Sequence, residues 1–145
     1  MKHLITGITG FAGSHLAELL IAKGCEVHGT ARWRSRMENI HHLDGKVTLH
    51  QCDIRDATAM HELIARVRPD RIYHLAAQSF VPMSWVAPAE TITTNVVGQL
   101  NLLEAVRATG CPARIQLACS SEEYGMVLPS ETPIREDNPL RPLSP

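Results

Sequence analysis

Short apolar runs alternate along this chain with longer segments whose apolar residues recur at helical spacing. The runs Lys2–Ile5, Cys25–Thr30, Val47–Cys52, Arg71–Ala76 and Arg114–Cys119 read as five strands. Between them, Phe11–Lys23 places Ala12, Leu16, Leu19 and Leu20 on one helical face and ends at Gly24, and Met37–His42 reads as a short helix. Ala57–Val67 carries Met60, Leu63, Ile64 and Val67 at helical spacing and is stopped by Pro69. A longer helix over Ala89–Thr109 shows Ile92, Val96, Leu100 and Leu103 as one stripe, which predicts its core face. Strands joined through helices need right-handed crossovers and pair in parallel, so the pattern predicts an α/β, Rossmann-like doubly wound sheet of strand order 3-2-1-4-5. No sixth strand follows, so the fifth is expected to keep an open edge. That edge and a long helix without a neighbour predict weak stability or self-association. Five of the nine prolines lie at 129, 133, 139, 142 and 145. The expected division is therefore a domain over 1–121 and an extended, proline-rich loop over 122–145.

The first strand runs straight into Thr6-Gly7-Ile8-Thr9-Gly10-Phe11-Ala12-Gly13. In a strand-to-helix turn Gly7 serves the tight turn, Gly10 the approach of a phosphate, and Gly13 the packing of helix on strand. The unpaired N–H groups and positive dipole end of the following helix suit a pyrophosphate, so Gly7, Thr9, Gly10, Phe11, Ala12 and Gly13 are expected to bind a dinucleotide. The second strand ends in Thr30-Ala31-Arg32-Trp33-Arg34-Ser35-Arg36 rather than in a carboxylate. Arg32 and its neighbours therefore favour a 2′-phosphate, and NADP over NAD; the other reading is a solvated basic turn. Asp53 is placed to accept from an adenine amino group while Ile54 covers the ring, or Asp53 caps the next turn. Leu75, Ala76, Ala77 and Ser79, at the end of the fourth strand, let a nicotinamide ribose lie against the backbone, or are merely close-packed. Ser120-Ser121-Glu122-Glu123-Tyr124-Gly125 ends the fifth strand, where open α/β sheets bind ligands; it reads equally as a helix cap with a solvated turn.

Composition narrows the rest. With 145 residues and 44% hydrophobic content the chain suffices for one domain with a core. A formal net charge of −1 offers no electrostatic case for nucleic acid or an anionic membrane. No apolar run approaches the roughly 20 residues of a membrane span, and the first strand starts too early for a signal peptide, so a cytoplasmic location is expected. Cys25, Cys52, Cys111 and Cys119 lack C-x-x-C spacing and read as buried free thiols; the scattered histidines predict no metal site.

Taken together, Thr6-Gly7-Ile8-Thr9-Gly10-Phe11-Ala12-Gly13-Ser14-His15-Leu16, Asp53-Ile54, Leu75-Ala76-Ala77-Gln78-Ser79, Thr94-Asn95-Val96-Val97-Gly98 and Ser120–Gly125 resemble the extended short-chain dehydrogenase/reductase family over the whole chain. Within it the chain looks most like the nucleotide-sugar 4,6-dehydratases. The resemblance implies NADP as cofactor and a GDP-mannose-type nucleotide sugar as substrate. It implies Ser120 as hydrogen-bond partner of the sugar 4-oxygen and Glu122 as the base at C5, its pKa raised by burial beside the sugar. Phe11-Ala12 replaces the usual Gln-Asp of these dehydratases, a form closer to 4-keto reductases and epimerases, and Glu123 stands at a usually apolar position. The family's Tyr-x-x-x-Lys does not occur: neither Tyr73 nor Tyr124 has a lysine four residues on. The resemblance places that motif directly after Leu143-Ser144-Pro145. The chain is thus expected to be the N-terminal part of a longer, homo-oligomeric enzyme and to be inactive alone, or else to be a non-catalytic NADP-binding module.

Overall fold

In the computed structural model, which describes residues 1–145, five parallel strands form one sheet of order β3-β2-β1-β4-β5. They are β1 (Lys2–Thr6), β2 (Glu26–Ala31), β3 (Thr48–Gln51), β4 (Arg71–His74) and β5 (Arg114–Leu117), in the expected order. In-register pairing sets Thr6 beside Thr30 and His74, so the strand ends that carry the candidate residues lie side by side. β5 pairs with β4 alone.

Alternation along β1 sends Leu4 and Ile5 to opposite faces, and a separate core forms on each. Leu4 joins Ile72, Ile54 and the apolar residues of α2 (Ala57–Val67) and α5 (Gly98–Thr109). Ile5 joins Ile8, Val27, Ile40, Leu43 and the Ala17 and Leu20 of α1 (Phe11–Ala22). All four expected apolar positions of α2 are buried, and Asp56 caps it by accepting from the Ala59 N–H at 3.0 Å.

Several local expectations are corrected. α1 buries Gly13, Ser14, Ala17 and the expected Leu20, and the expected Leu16 packs half-buried on the same core, but Ala12 and Leu19 face outward; Leu19 is 53% exposed. Small residues at 13, 14 and 17 let the helix sit close to the turn and sheet, and that contact outweighs the larger side chains. The stretch expected to be helical at Met37–His42 is irregular until a 3₁₀ turn at His41–Leu43.

The long helix is built from α4 (Pro88–Ile92), a π turn (Thr93–Val97) and α5, and it is preceded by α3 (Val81–Val86). Its expected core stripe faces outward: Ile92, Val96 and Leu100 are each more than half exposed. The buried positions are Thr91, Thr94, Gly98, Leu102 and Ala105. A β-carbon at Gly98 would lie 2.7 Å from Ile54 Cδ1, so the helix has turned its smallest residue onto the sheet side to admit Ile54.

Beyond β5 the chain carries 3₁₀ turns at Ser121–Tyr124 and Pro129–Glu131 but no strand or α-helix. The Arg141 N–H donates to the Glu123 carbonyl at 2.9 Å, which folds the terminal residues back beside the 3₁₀ turn. Cys52 and Cys111 are buried free thiols, whereas Cys25 is half-buried and Cys119 exposed, because Cys119 lies past the end of β5.

Candidate active site

The turn after β1 is set by two glycines. Gly7 has φ +74°, and a β-carbon on it would stand 2.9 Å from the Ala76 backbone, so the turn abuts the end of β4. A β-carbon at Gly13 would overlap the Gly7 carbonyl oxygen, so α1 rests directly on the turn. Gly10 is the N-cap of α1 and has no side chain to cap it. The first intrahelical bond joins the Ser14 N–H to the Gly10 carbonyl at 3.0 Å, leaving the Phe11, Ala12 and Gly13 N–H groups without intrahelical partners. These groups face a cavity of about 440 Å³.

All thirteen expected cofactor residues line that cavity: Gly7, Thr9, Gly10, Phe11, Ala12, Gly13, Arg32, Asp53, Ile54, Leu75, Ala76, Ala77 and Ser79. Thr30, Ser35, Cys52 and Thr94 line it as well and were not among the expected contacts, although Thr30 and Ser35 flank Arg32 in its basic turn and Thr94 opens the Thr94–Gly98 motif. Arg32 and Ser35 close a small turn, with Arg32 N–H donating to Ser35 Oγ at 2.9 Å. Of the neighbouring arginines, Arg34 and Arg55 line an adjoining recess with Trp33. Asp53 Oδ1 accepts from the Arg55 N–H at 3.0 Å, and the Arg55 guanidinium bonds both carboxylate oxygens. That ion pair holds the Asp53 pKa below the usual carboxylate range. Asp53 thus both organises its turn and lines the cavity. Ile54 is 4% exposed and wedged against Gly98, forming a wall with little freedom.

A second cavity of about 370 Å³ adjoins the first across Ala76, Ala77 and Ser79, which line both. Its far side is made by Ser120, Glu122, Glu123 and Pro142. The loop between the cavities is clamped to the π turn: the Gln78 N–H donates to Asn95 Oδ1 at 2.8 Å, and Asn95 Nδ2 donates to the Gln78 carbonyl at 2.9 Å. Ser120 Oγ caps the 3₁₀ turn by accepting from the Glu122 N–H at 3.2 Å, and the same residue lines the cavity, so its capping role does not remove it from the site. Glu122 is exposed, so the burial expected to raise its pKa is not provided by the chain itself, whose 3₁₀ turn holds the residue at the surface.

The sheet order, the glycine turn abutting β4 and the two joined cavities at the carboxyl ends of the strands are those of the nucleotide-binding part of an extended short-chain dehydrogenase/reductase. The chain belongs to the GDP-mannose 4,6-dehydratase family, whose model matches residues 4–145. It is 41% identical over 155 aligned positions to a GDP-mannose 4,6-dehydratase of Vibrio cholerae, covering 99% of this chain and 41% of that protein. The human GDP-mannose 4,6 dehydratase is also 41% identical, over 98% of this chain and 41% of its own length. The chain therefore spans about two-fifths of the curated relatives it matches. Among solved structures, the UDP-glucose 4-epimerase of Thermus thermophilus in complex with NAD superposes with a TM-score of 0.84 at 35% identity, covering 99% of this chain and 45% of that one. The Brucella ovis UDP-glucose 4-epimerase in complex with NAD gives 0.86 at 28% identity, over 99% and 42%. No helix of the structure is long and apolar enough to cross a membrane.

Proposed function

We propose that the chain is the NADP-binding part of a nucleotide-sugar 4,6-dehydratase whose parent converts GDP-mannose to GDP-4-keto-6-deoxymannose and water. The observation that carries this reading is that two cavities adjoin across Ala76, Ala77 and Ser79, one lined by the glycine turn and the other by Ser120 and Glu122. The cradle fits a dinucleotide, because Gly7 and Gly13 leave no room for side chains between turn, helix and β4. Within it, the free N–H groups at the start of α1 hold the pyrophosphate, Asp53 and Ile54 the adenine, and Leu75–Ser79 the nicotinamide ribose. Arg32 pairs with the 2′-phosphate, which favours NADP over NAD. Bound NADP supplies a hydride acceptor that later returns the hydride.

The chain's own residues do the rest of the positioning. Ser120 Oγ accepts from the Glu122 N–H and keeps its proton free to donate to the sugar 4-oxygen. Glu122 takes the C5 proton, and its burial comes from the sugar that covers it. We take residues 1–121 as the cofactor domain and 122–145 as the loop leading to the remaining sugar-binding part. A homo-oligomeric, cytoplasmic parent belongs to the same reading, its oligomeric state supported by the exposed stripe of Ile92, Val96 and Leu100.

Phe11-Ala12 in the turn and the likeness to 4-epimerases support a second reading, a parent that is a 4-keto reductase or epimerase. Incubating the full-length parent with NADP and GDP-mannose separates the two: a 4-keto-6-deoxy product supports the dehydratase, and its absence rejects it. Because neither tyrosine is followed four residues later by lysine, this chain alone is expected not to turn over. A third reading, a non-catalytic NADP-binding module, shares that expectation; an active parent rejects it.

A further inference from the structure

Thr6 and His74 lie in register at the ends of β1 and β4, with Thr6 Oγ1 2.8 Å from His74 Nδ1. The same hydroxyl oxygen accepts from the Leu75 and Ala76 N–H groups, each at 3.2 Å. A hydroxyl has two lone pairs and one proton, and both lone pairs here are met by backbone N–H groups, that of Ala76 and that of Leu75, which is shared with the Thr6 carbonyl at 3.2 Å. That arrangement directs its proton at His74 Nδ1, which receives it as the bare nitrogen of a neutral ring. The ring hydrogen therefore sits on Nε2. Charging the ring would set a further N–H against an oxygen that already faces two, and burial already pushes the His74 pKa down.

Nε2 has no hydrogen-bond partner within the chain, yet it is not sealed from solvent as the two ring nitrogens of His3 are. His74 is 5% exposed as a residue and lines the second cavity, not the first. An almost fully buried side chain thus has one polar atom open, on the side where a ligand would lie.

We infer that His74 is a fixed, neutral hydrogen-bond donor whose Nε2–H engages an oxygen acceptor of the ligand in the second cavity. The identity of that ligand rests on the functional reading above. The acceptor is a carbonyl or hydroxyl oxygen, supplied either by the nicotinamide carboxamide or by the hexose. His74, at the end of β4, and Ser120 and Glu122, in the turn after β5, all line this cavity, so one ligand there can meet groups from both. A donor that cannot turn and cannot accept selects oxygen at that point and rejects a group that only donates.

Nitrogen-15 NMR of the histidine rings in the full chain tests this. In the free protein at neutral pH, His74 is expected to show a protonated Nε2 and a bare Nδ1; a protonated Nδ1 overturns the inference. NADP is then added, followed by GDP-mannose. A shift of the Nε2–H with NADP assigns the carboxamide, and a shift only with GDP-mannose assigns the sugar oxygen; either supports the inference. An unmoved Nε2–H while the glycine-turn amides report saturation by NADP and the Ser120–Glu122 amides saturation by GDP-mannose overturns it. If those amides do not respond to either ligand, the functional reading fails, and the tautomer of the free protein still decides the assignment of His74. Thr6→Ser is expected to keep the tautomer and Thr6→Val to release it to a mixture; an unchanged tautomer in Thr6→Val contradicts the role given to the hydroxyl.

Discussion

Gly13 packs against the carbonyl oxygen of Gly7 so closely that a β-carbon at 13 would overlap it, whereas a β-carbon at Gly10 would meet the same oxygen at 3.3 Å. The two glycines therefore serve different purposes, one for packing and one for access. Gly13→Ala is expected to destabilise the fold by about 1–3 kcal/mol through overpacking and to abolish NADPH binding. Gly10→Ala should cost less stability, read as a thermal midpoint closer to wild type, yet still weaken NADPH because a methyl group enters the cavity wall. Equal thermal midpoints for the two variants would argue against this division.

Arg32 is the one arginine of its turn that lines the main cavity. A hydrogen bond to a charged group is worth about 1.5–3 kcal/mol, so Arg32→Ala should weaken NADPH by roughly 10- to 100-fold. NADH, which lacks the 2′-phosphate, should bind the variant as it binds wild type. Fluorescence titration with both nucleotides checks the difference; an equal loss for both would mean that Arg32 supports the turn and not the phosphate.

Asn95 holds the Gln78 backbone through both its N–H and its carbonyl. Asn95→Ala leaves these two part-buried groups unpaired, at about 1–3 kcal/mol for each that finds no water. Urea denaturation should show that loss, and hydrogen exchange should quicken at Gln78 and Ser79. NADPH affinity should fall with it, because the same loop lines both cavities.

The helix from Pro88 to Thr109 shows how far local pattern reaches. Its existence, the sheet order and the glycine turn were legible, since each depends on spacing and backbone chemistry within a few residues. Its facing direction was not: the apolar stripe Ile92, Val96, Leu100 and Leu103 pointed to the wrong side, because Ile54, distant in sequence, fits only against Gly98. The π turn had no local signature either, and α3 contains Pro82 in a short segment that does not resemble a helix. Within the site, strand register brings Thr30 of β2 and Cys52, just past β3, to the cavity, whereas Ser35 and Thr94 reach it from the Arg32 turn and the π turn. Leu102→Ala should accordingly cost about 2–5 kcal/mol. Leu100→Ala, at an exposed position, should stay within about 0.5 kcal/mol of wild type. The reverse ranking by urea denaturation would restore the stripe as the core face.

Burial holds the pKa values of His3, His50 and His74 below the ordinary histidine value of 6.5, with nearby cations adding to the effect at His3 and His50. His3 has no hydrogen-bond partner for either nitrogen and stacks on Tyr73 at 5.8 Å; His50 Nε2 lies 3.0 Å from His28 Nδ1. A histidine with a lowered folded pKa binds more protons when unfolded, so stability is full above the unfolded value and falls as pH drops through it toward the folded value. The urea midpoint should therefore decline between about pH 7.5 and about pH 5.5, before most carboxylates titrate. His3→Phe should flatten part of that slope. A midpoint constant over the range would show that these rings protonate freely in the folded state.

Whether the cavity over the glycine turn is built for a dinucleotide bearing a 2′-phosphate is tested most directly by calorimetric titration of the wild-type chain with NADPH and NADH in parallel. One saturable site is predicted, with NADPH the tighter ligand; tighter binding of NADH, or no saturable binding of either, would contradict it.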